Sequence, residues 1–158
     1  MPSLYMLIGV TGSGKSFWAS RNVELLDAVV ISSDNIIEEK CAEVGCNYTE
    51  GFSRFVKFAS KEMDARLRKA VSENKNIIWD QTNVTVKTRG RKLKQFPSTY
   101  RKTAVFFDVE NDVVDKRLKE REEATGKHIR NDVLWSMRNG IVSPNKDEGF
   151  DEIVVVKK

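Results

Sequence analysis

The chain has 158 residues, 40% apolar and 32% charged, with a net charge of +4. That length supports a hydrophobic core without disulfides or structural metals, and the balance excludes a disordered chain. No apolar run approaches the roughly 20 residues of a membrane helix, and the start lacks a secretory leader's basic region, so one cytoplasmic domain over residues 1–158 is expected.

The first element, "LYMLIGV" (Leu4 to Val10), reads as a buried strand. It runs straight into "GVTGSGKS", where Gly9, Gly14, Lys15 and Ser16 fit G-x-x-x-x-G-K-[ST], and a helix over Ser16 to Leu26 follows, with Trp18 and Val23 inward. Strand, motif and helix in that order are the context a phosphate-binding loop needs. Backbone N–H groups across Thr11, Gly12, Ser13 and Gly14 would cradle phosphate oxygens, helped by the positive end of the helix. Lys15 would reach the outer phosphates and Ser16 would hold Mg²⁺. Gly12 is expected to spare the phosphates a crowding side chain.

Such a loop alone does not separate kinases from GTPases, motors or helicases. The chain is short for an ATP-driven machine, and "PNKDEG" (Pro144 to Gly149) lacks the spacing of a guanine reader, which leaves small phosphotransferases.

A second strand, Ala28 to Ser32, ends at Asp34, ahead of a short helix, "NIIEEKCAEVG". Cys41 and Cys46, in C-x4-C spacing, suit no common zinc pattern and read as structural thiols. A long amphipathic helix is expected from about Phe52 to Asn74, with Phe55, Phe58, Ala59, Met63, Leu67 and Val71 inward. A third strand, Asn76 to Trp79, ends at Asp80, with Thr82 and Asn83 close behind. Carboxylates at strand ends accept a hydroxyl proton during phosphoryl transfer or hold water on Mg²⁺; each aspartate equally suits a helix N-cap. "VKTRGRKLKQF" then brings Lys87, Arg89, Arg91, Lys92 and Lys94, either a phosphate-backbone track or a solvated helix face. Strands at Thr103 to Val109 and Glu152 to Val156 complete the pattern, with "GIVSPNKDEGFD" a loop before the last and Trp135 and Met137 read as core. Doubly apolar strands alternating with helices predict an α/β fold, a five-stranded parallel sheet with helices on both faces.

"GVTGSGKSFWA", "ISSDNII", "WDQTNVTVKTRGRKL", "KRLKEREEATGKHI" and "EGFDEI" together resemble the P-loop kinase family that contains the polynucleotide 5′-hydroxyl kinases of phages and animals. "DQTNV" and the basic stretch after it also resemble the P-loop domain of heterogeneous nuclear ribonucleoprotein U. The resemblance implies a P-loop NTPase fold, adenylate-kinase-like with an arginine lid, and an ATP- and Mg²⁺-dependent kinase acting on DNA or RNA. Carried over by position, Asp34 would be the general base, Lys15 and Ser16 would bind donor phosphates and Mg²⁺, and Arg117 and Arg121 would clamp ATP, Arg121 as a catalytic charge. Asp80, Thr82 and Asn83 would border the acceptor. One departure stands out: the polynucleotide kinases carry an arginine three residues past the base, where this chain has Ile37, and Arg89, Arg91, Lys92 or Lys94 are the candidates to supply that charge. The alternatives left open are a nucleoside or nucleotide kinase and a non-catalytic ATP- and nucleic-acid-binding module. No membrane or protein partner is evident.

Overall fold

A computed structural model describes residues 1–158. Its five strands are β1 (Ser3–Ile8), β2 (Ala28–Ile31), β3 (Asn76–Trp79), β4 (Arg101–Phe107) and β5 (Glu152–Val156). Six α-helices connect them: α1 (Lys15–Asn22), α2 (Ser33–Val44), α3 (Tyr48–Ser72), α4 (Val86–Leu93), α5 (Asn111–Thr125) and α6 (Asn131–Gly140), with a 3₁₀ turn at Lys146–Glu148. Every strand pairing is parallel, and the sheet order is β2-β3-β1-β4-β5. The chain therefore leaves β1, the middle strand, to build one side of the sheet and later returns to build the other. In such sheets the crevice at the carboxyl ends, where the order reverses, is the natural ligand site.

Period-2 alternation along β1 distributes the core. Leu4, Met6 and Ile8 face one way, against Ile36, Ile37, Leu67 and Leu93 from α2, α3 and α4, while Leu7 joins Ala19, Ile78 and Val105 on the other face. The expected cover on both faces holds for the central strands. It fails at the edge, where Val154 and Val155 of β5 are exposed.

The long helix starts earlier than its apolar period, at Tyr48, because the Asn47 side chain accepts the Glu50 N–H and caps it there. Phe58, expected inward, is exposed beneath the Lys40 ammonium. Where α2 meets α3, a Cβ on Gly51 would stand 2.0 Å from the Cys41 sulfur and 3.3 Å from that of Cys46. The two thiols are thus neighbours. Gly45 ends α2 in a left-handed turn whose following N–H, from Cys46, returns to the Cys41 carbonyl, and the thiol pair forms the apolar contact that closes such a cap.

Candidate active site

The P-loop leaves the end of β1 and opens α1. Gly12 and Gly14 both have positive φ, 80° and 102°. A Cβ at Gly12 would stand 2.8 Å from the Leu118 side chain of α5, so the glycine also lets that helix close over the loop. Gly14 is the left-handed N-cap of α1. Lys15 lies against the loop, its ammonium donating to the Val10 carbonyl at 2.8 Å. Burial pulls Lys15 down to about 8, against the opposing charges of Asp80 and Asp34, with Arg121 and Lys127 lowering it further. All four of those groups therefore act on a single ammonium.

Ser16 donates its hydroxyl to Asp80 Oδ2 at 2.9 Å. Burial pushes the Asp80 carboxyl above its usual range, in part countered by that hydrogen bond and by Lys15. A hydroxyl and a carboxylate side by side, the latter without a salt-bridge partner, are the hard oxygen donors that Mg²⁺ takes beside phosphate and water. The pair fits the ion, and Asp80, expected at the border of the acceptor, is hydrogen-bonded to Ser16.

Asp34 sits in the first turn of α2 without capping it; Ser32 does so by accepting the Asn35 N–H. The Asp34 side chain is instead held by Tyr48, whose hydroxyl donates to Oδ1 at 2.6 Å. Burial, then that hydrogen bond, raises the Tyr48 hydroxyl far above its usual range, so it stays a donor. Lys127 Nζ lies 3.5 Å from Asp34 Oδ2, 3.4 Å from Glu38 and 4.1 Å above the Tyr48 ring. Neither Tyr48 nor Lys127 is among the site residues expected from the sequence. The one signal for the lysine was its place in "TGKHI", just past the lid helix.

From α5, Arg117 donates to the Ser13 carbonyl at 3.1 Å and Arg121 to the Thr11 hydroxyl at 3.4 Å. Arg121 Nε and Ser13 Oγ are buried without partners. A cavity of about 930 Å³ unites these groups: Thr11, Gly12, Gly14, Lys15, Ser16, Asp34, Asp80, Thr82, Arg117 and Arg121 line it, with Tyr48, Phe52 and Lys127. Met137 lines it too, and Trp135 is exposed, so neither belongs to the core.

Asn83 and Arg89 do not reach the cavity. Asn83, at φ 48°, donates to the Leu7 and Gln81 carbonyls and accepts from Lys92 at 2.5 Å. Arg89 is fully buried, forked onto Glu148 at 2.8 and 3.1 Å and onto the carbonyls of Asn83, Val84 and Val142. It is a brace, and it replaces no arginine at Ile37, itself core. Burial also draws Lys92 down to about 7, despite its bonds to Gln81 and Asn83. Two of the five basic-segment cations are thus internal. The D-Q-T-N stretch instead rivets strand ends: Gln81 reaches Ser33, and the Thr82 carbonyl accepts the Gly9 N–H.

An AAA-domain family model matches residues 4–143. The chain belongs to that family. This AAA domain also has the P-loop kinase fold. It is similar to a candidate kinase from Chloroflexus aurantiacus (TM-score 0.75, 15% identity, covering 99% of this chain and 85% of that one). A gluconokinase from Sinorhizobium meliloti matches at TM-score 0.60 and 16% identity, over 99% and 82% of the two chains. A chain of the Pnkp1/Rnl/Hen1 RNA repair complex matches at 0.69 and 22%, over 88% and 43%. In sequence, the AAA domain is 27% identical to heterogeneous nuclear ribonucleoprotein U-like protein 2 of Homo sapiens across 94% of its own length, and 26% identical to that of Mus musculus. It spans only 20% of the length of those relatives. No helix is long and apolar enough to cross a membrane.

Proposed function

We propose that this AAA domain transfers the γ-phosphoryl group of ATP to a hydroxyl of a polynucleotide, first a 5′-hydroxyl end and second a hydroxyl on a modified DNA base. One observation carries the proposal: the Asp34 carboxylate, free of capping duty, opens into the same cavity as Lys15 and Ser16 and bears on the Lys15 charge. Asp34 accepts the proton of the acceptor hydroxyl as its oxygen bonds to the γ-phosphorus, and the bond from that phosphorus to the β–γ bridging oxygen breaks, releasing ADP. Lys15, Arg117 and Arg121 hold the phosphates, and the unpartnered Arg121 Nε is a donor free for charge that develops on them. Ser16 and Asp80 would hold Mg²⁺, which shields phosphate charge when bound. Arginines carried on the helix over the loop also exclude water, which otherwise hydrolyses ATP.

A polynucleotide acceptor draws support from the repair-complex and ribonucleoprotein likenesses, and from Lys127 and Arg130 on the cavity wall. The same ribonucleoprotein likeness favours the second reading, a module that binds ATP and nucleic acid without transfer.

The test is γ-labelled ATP and Mg²⁺ with 5′-hydroxyl DNA, 5′-hydroxyl RNA, hydroxymethylated DNA and nucleosides in parallel. Label in a polynucleotide is expected. Label in nucleosides alone makes this a small-molecule kinase, and ATP binding with no label anywhere favours the module. Asp34→Asn is expected to cut transfer by about 100-fold or more while sparing ATP affinity; near-normal turnover removes Asp34 as base.

A further inference from the structure

Phosphoryl transfer leaves one wall of the cavity unused. Phe52 lies one helical turn past Tyr48 on α3, lines the cavity and is 46% exposed. The rings of Tyr48 and Phe52 stand 6.0 Å apart between centroids, tilted by 47°. Tyr48 is occupied: its hydroxyl is on Asp34 and the Lys127 ammonium lies above its ring. Phe52 is the next ring along α3, and no cation lies over it.

Isolated exposed apolar residues need no explanation. This one opens onto a cavity that Ile129, Val133 and Met137 also line, from the link after α5 and from α6, a helix with no buried residue. These apolar groups share one chamber with Lys127, paired with Asp34 and Glu38, and Arg130, forked onto Asp132. A flat apolar face with positive charge beside it suits a nucleotide, whose base has a π-face and whose neighbouring phosphate is anionic. A polyol or sugar acid would ask this wall for hydrogen-bonding groups instead.

We propose that Phe52 is the platform on which the base of the acceptor nucleotide stacks while its hydroxyl lies on Asp34. The proposal rests on the kinase reading for which ligand is the acceptor. The other exposed ring of the cavity, Phe17, is the rival; the Arg21 guanidinium lies 5.5 Å from its centroid.

The experiment measures binding, by anisotropy of a distal fluorophore, of two 5′-hydroxyl oligonucleotides that differ only in a terminal base or a terminal abasic site. The wild type is expected to bind the abasic oligonucleotide about ten-fold more weakly, within the usual range for base–aromatic stacking. That difference is expected to vanish in Phe52→Ala, return in Phe52→Trp and persist in Phe17→Ala, with ATP affinity and melting temperature held in Phe52→Ala. Equal binding of both oligonucleotides by the wild type, no binding of either, or loss of the difference in Phe17→Ala instead overturns the proposal. Base discrimination without label transfer leaves stacking standing and removes the kinase reading; transfer without discrimination does the reverse.

Discussion

Lys15 and Lys92 show how burial sets what a single cation does. Both ammonium groups are drawn down, to about 8 and about 7, yet Lys92 is tied to amide oxygens inside the fold while Lys15 rests on a backbone carbonyl beside the phosphate loop. On the proposed function, ATP requires Lys15 in its charged form. In the nucleotide-free domain that form is lost as pH rises through about 8, so ATP affinity is expected to weaken from pH 7 to pH 9, read by calorimetry. Affinity flat across that range contradicts it. Lys92 makes a separate prediction. Between about 7 and its unfolded value of 10.5, the unfolded chain binds a proton that the native one does not, so stability rises with pH there. The rise between pH 6 and 9 is expected to be shallower in Lys92→Met than in the wild type, by thermal melts. Neither the burial of Lys92 nor that of Arg89 was legible in "VKTRGRKLKQF", because charge pattern does not say which helix face meets the sheet.

At the scale of elements, α4 is a brace and the start of α3 a mount. Arg89 of α4 bridges to Glu148, whose side chain is also nearly buried, and so ties the loop before β5 to the D-Q-T-N turn. Arg89→Met leaves that carboxylate without its partner and is expected to cost about 3–5 kcal/mol by denaturant melts. Arg89→Met with Glu148→Gln is expected to recover most of the loss. A folded Arg89→Met domain with a raised acceptor KM would instead return this arginine to the binding site. The mount depends on Gly51. Any side chain there meets the Cys41 sulfur, so Gly51→Ala is expected to cost about 1–3 kcal/mol and to lower turnover by displacing Tyr48 from Asp34. Of the helices, the long α3 was legible in its apolar period, whereas α6, whose Trp135 and Met137 suggested core, was not. The first turn of α3 was not legible, since the polar Asn47 cap starts it ahead of the apolar period.

Across the whole molecule, the sheet order brings the ends of β1, β2 and β3 to one edge, and α5 crosses above them. Ligand there contacts the loop, the strand-end aspartates and the arginine helix together, so ATP with Mg²⁺ is expected to raise the melting temperature. At 100-fold over Kd the gain is about 2.7 kcal/mol. The further shift that Mg²⁺ adds to ATP is expected to disappear in Asp80→Asn; an unchanged shift would remove Asp80 from the metal. The phosphate loop, the parallel sheet and the aspartates closing two strands were determined by local sequence, because a glycine loop needs particular residues at fixed spacing and a doubly covered strand needs an unbroken apolar run. Which polar groups meet was decided only by the tertiary structure. Tyr48 and Lys127 reach Asp34 from 14 and 93 residues away, and Asn83 and Arg89 turn inward instead of toward the ligand. Contacts across such separations follow from how helices seat on the sheet, and no local spacing encodes them.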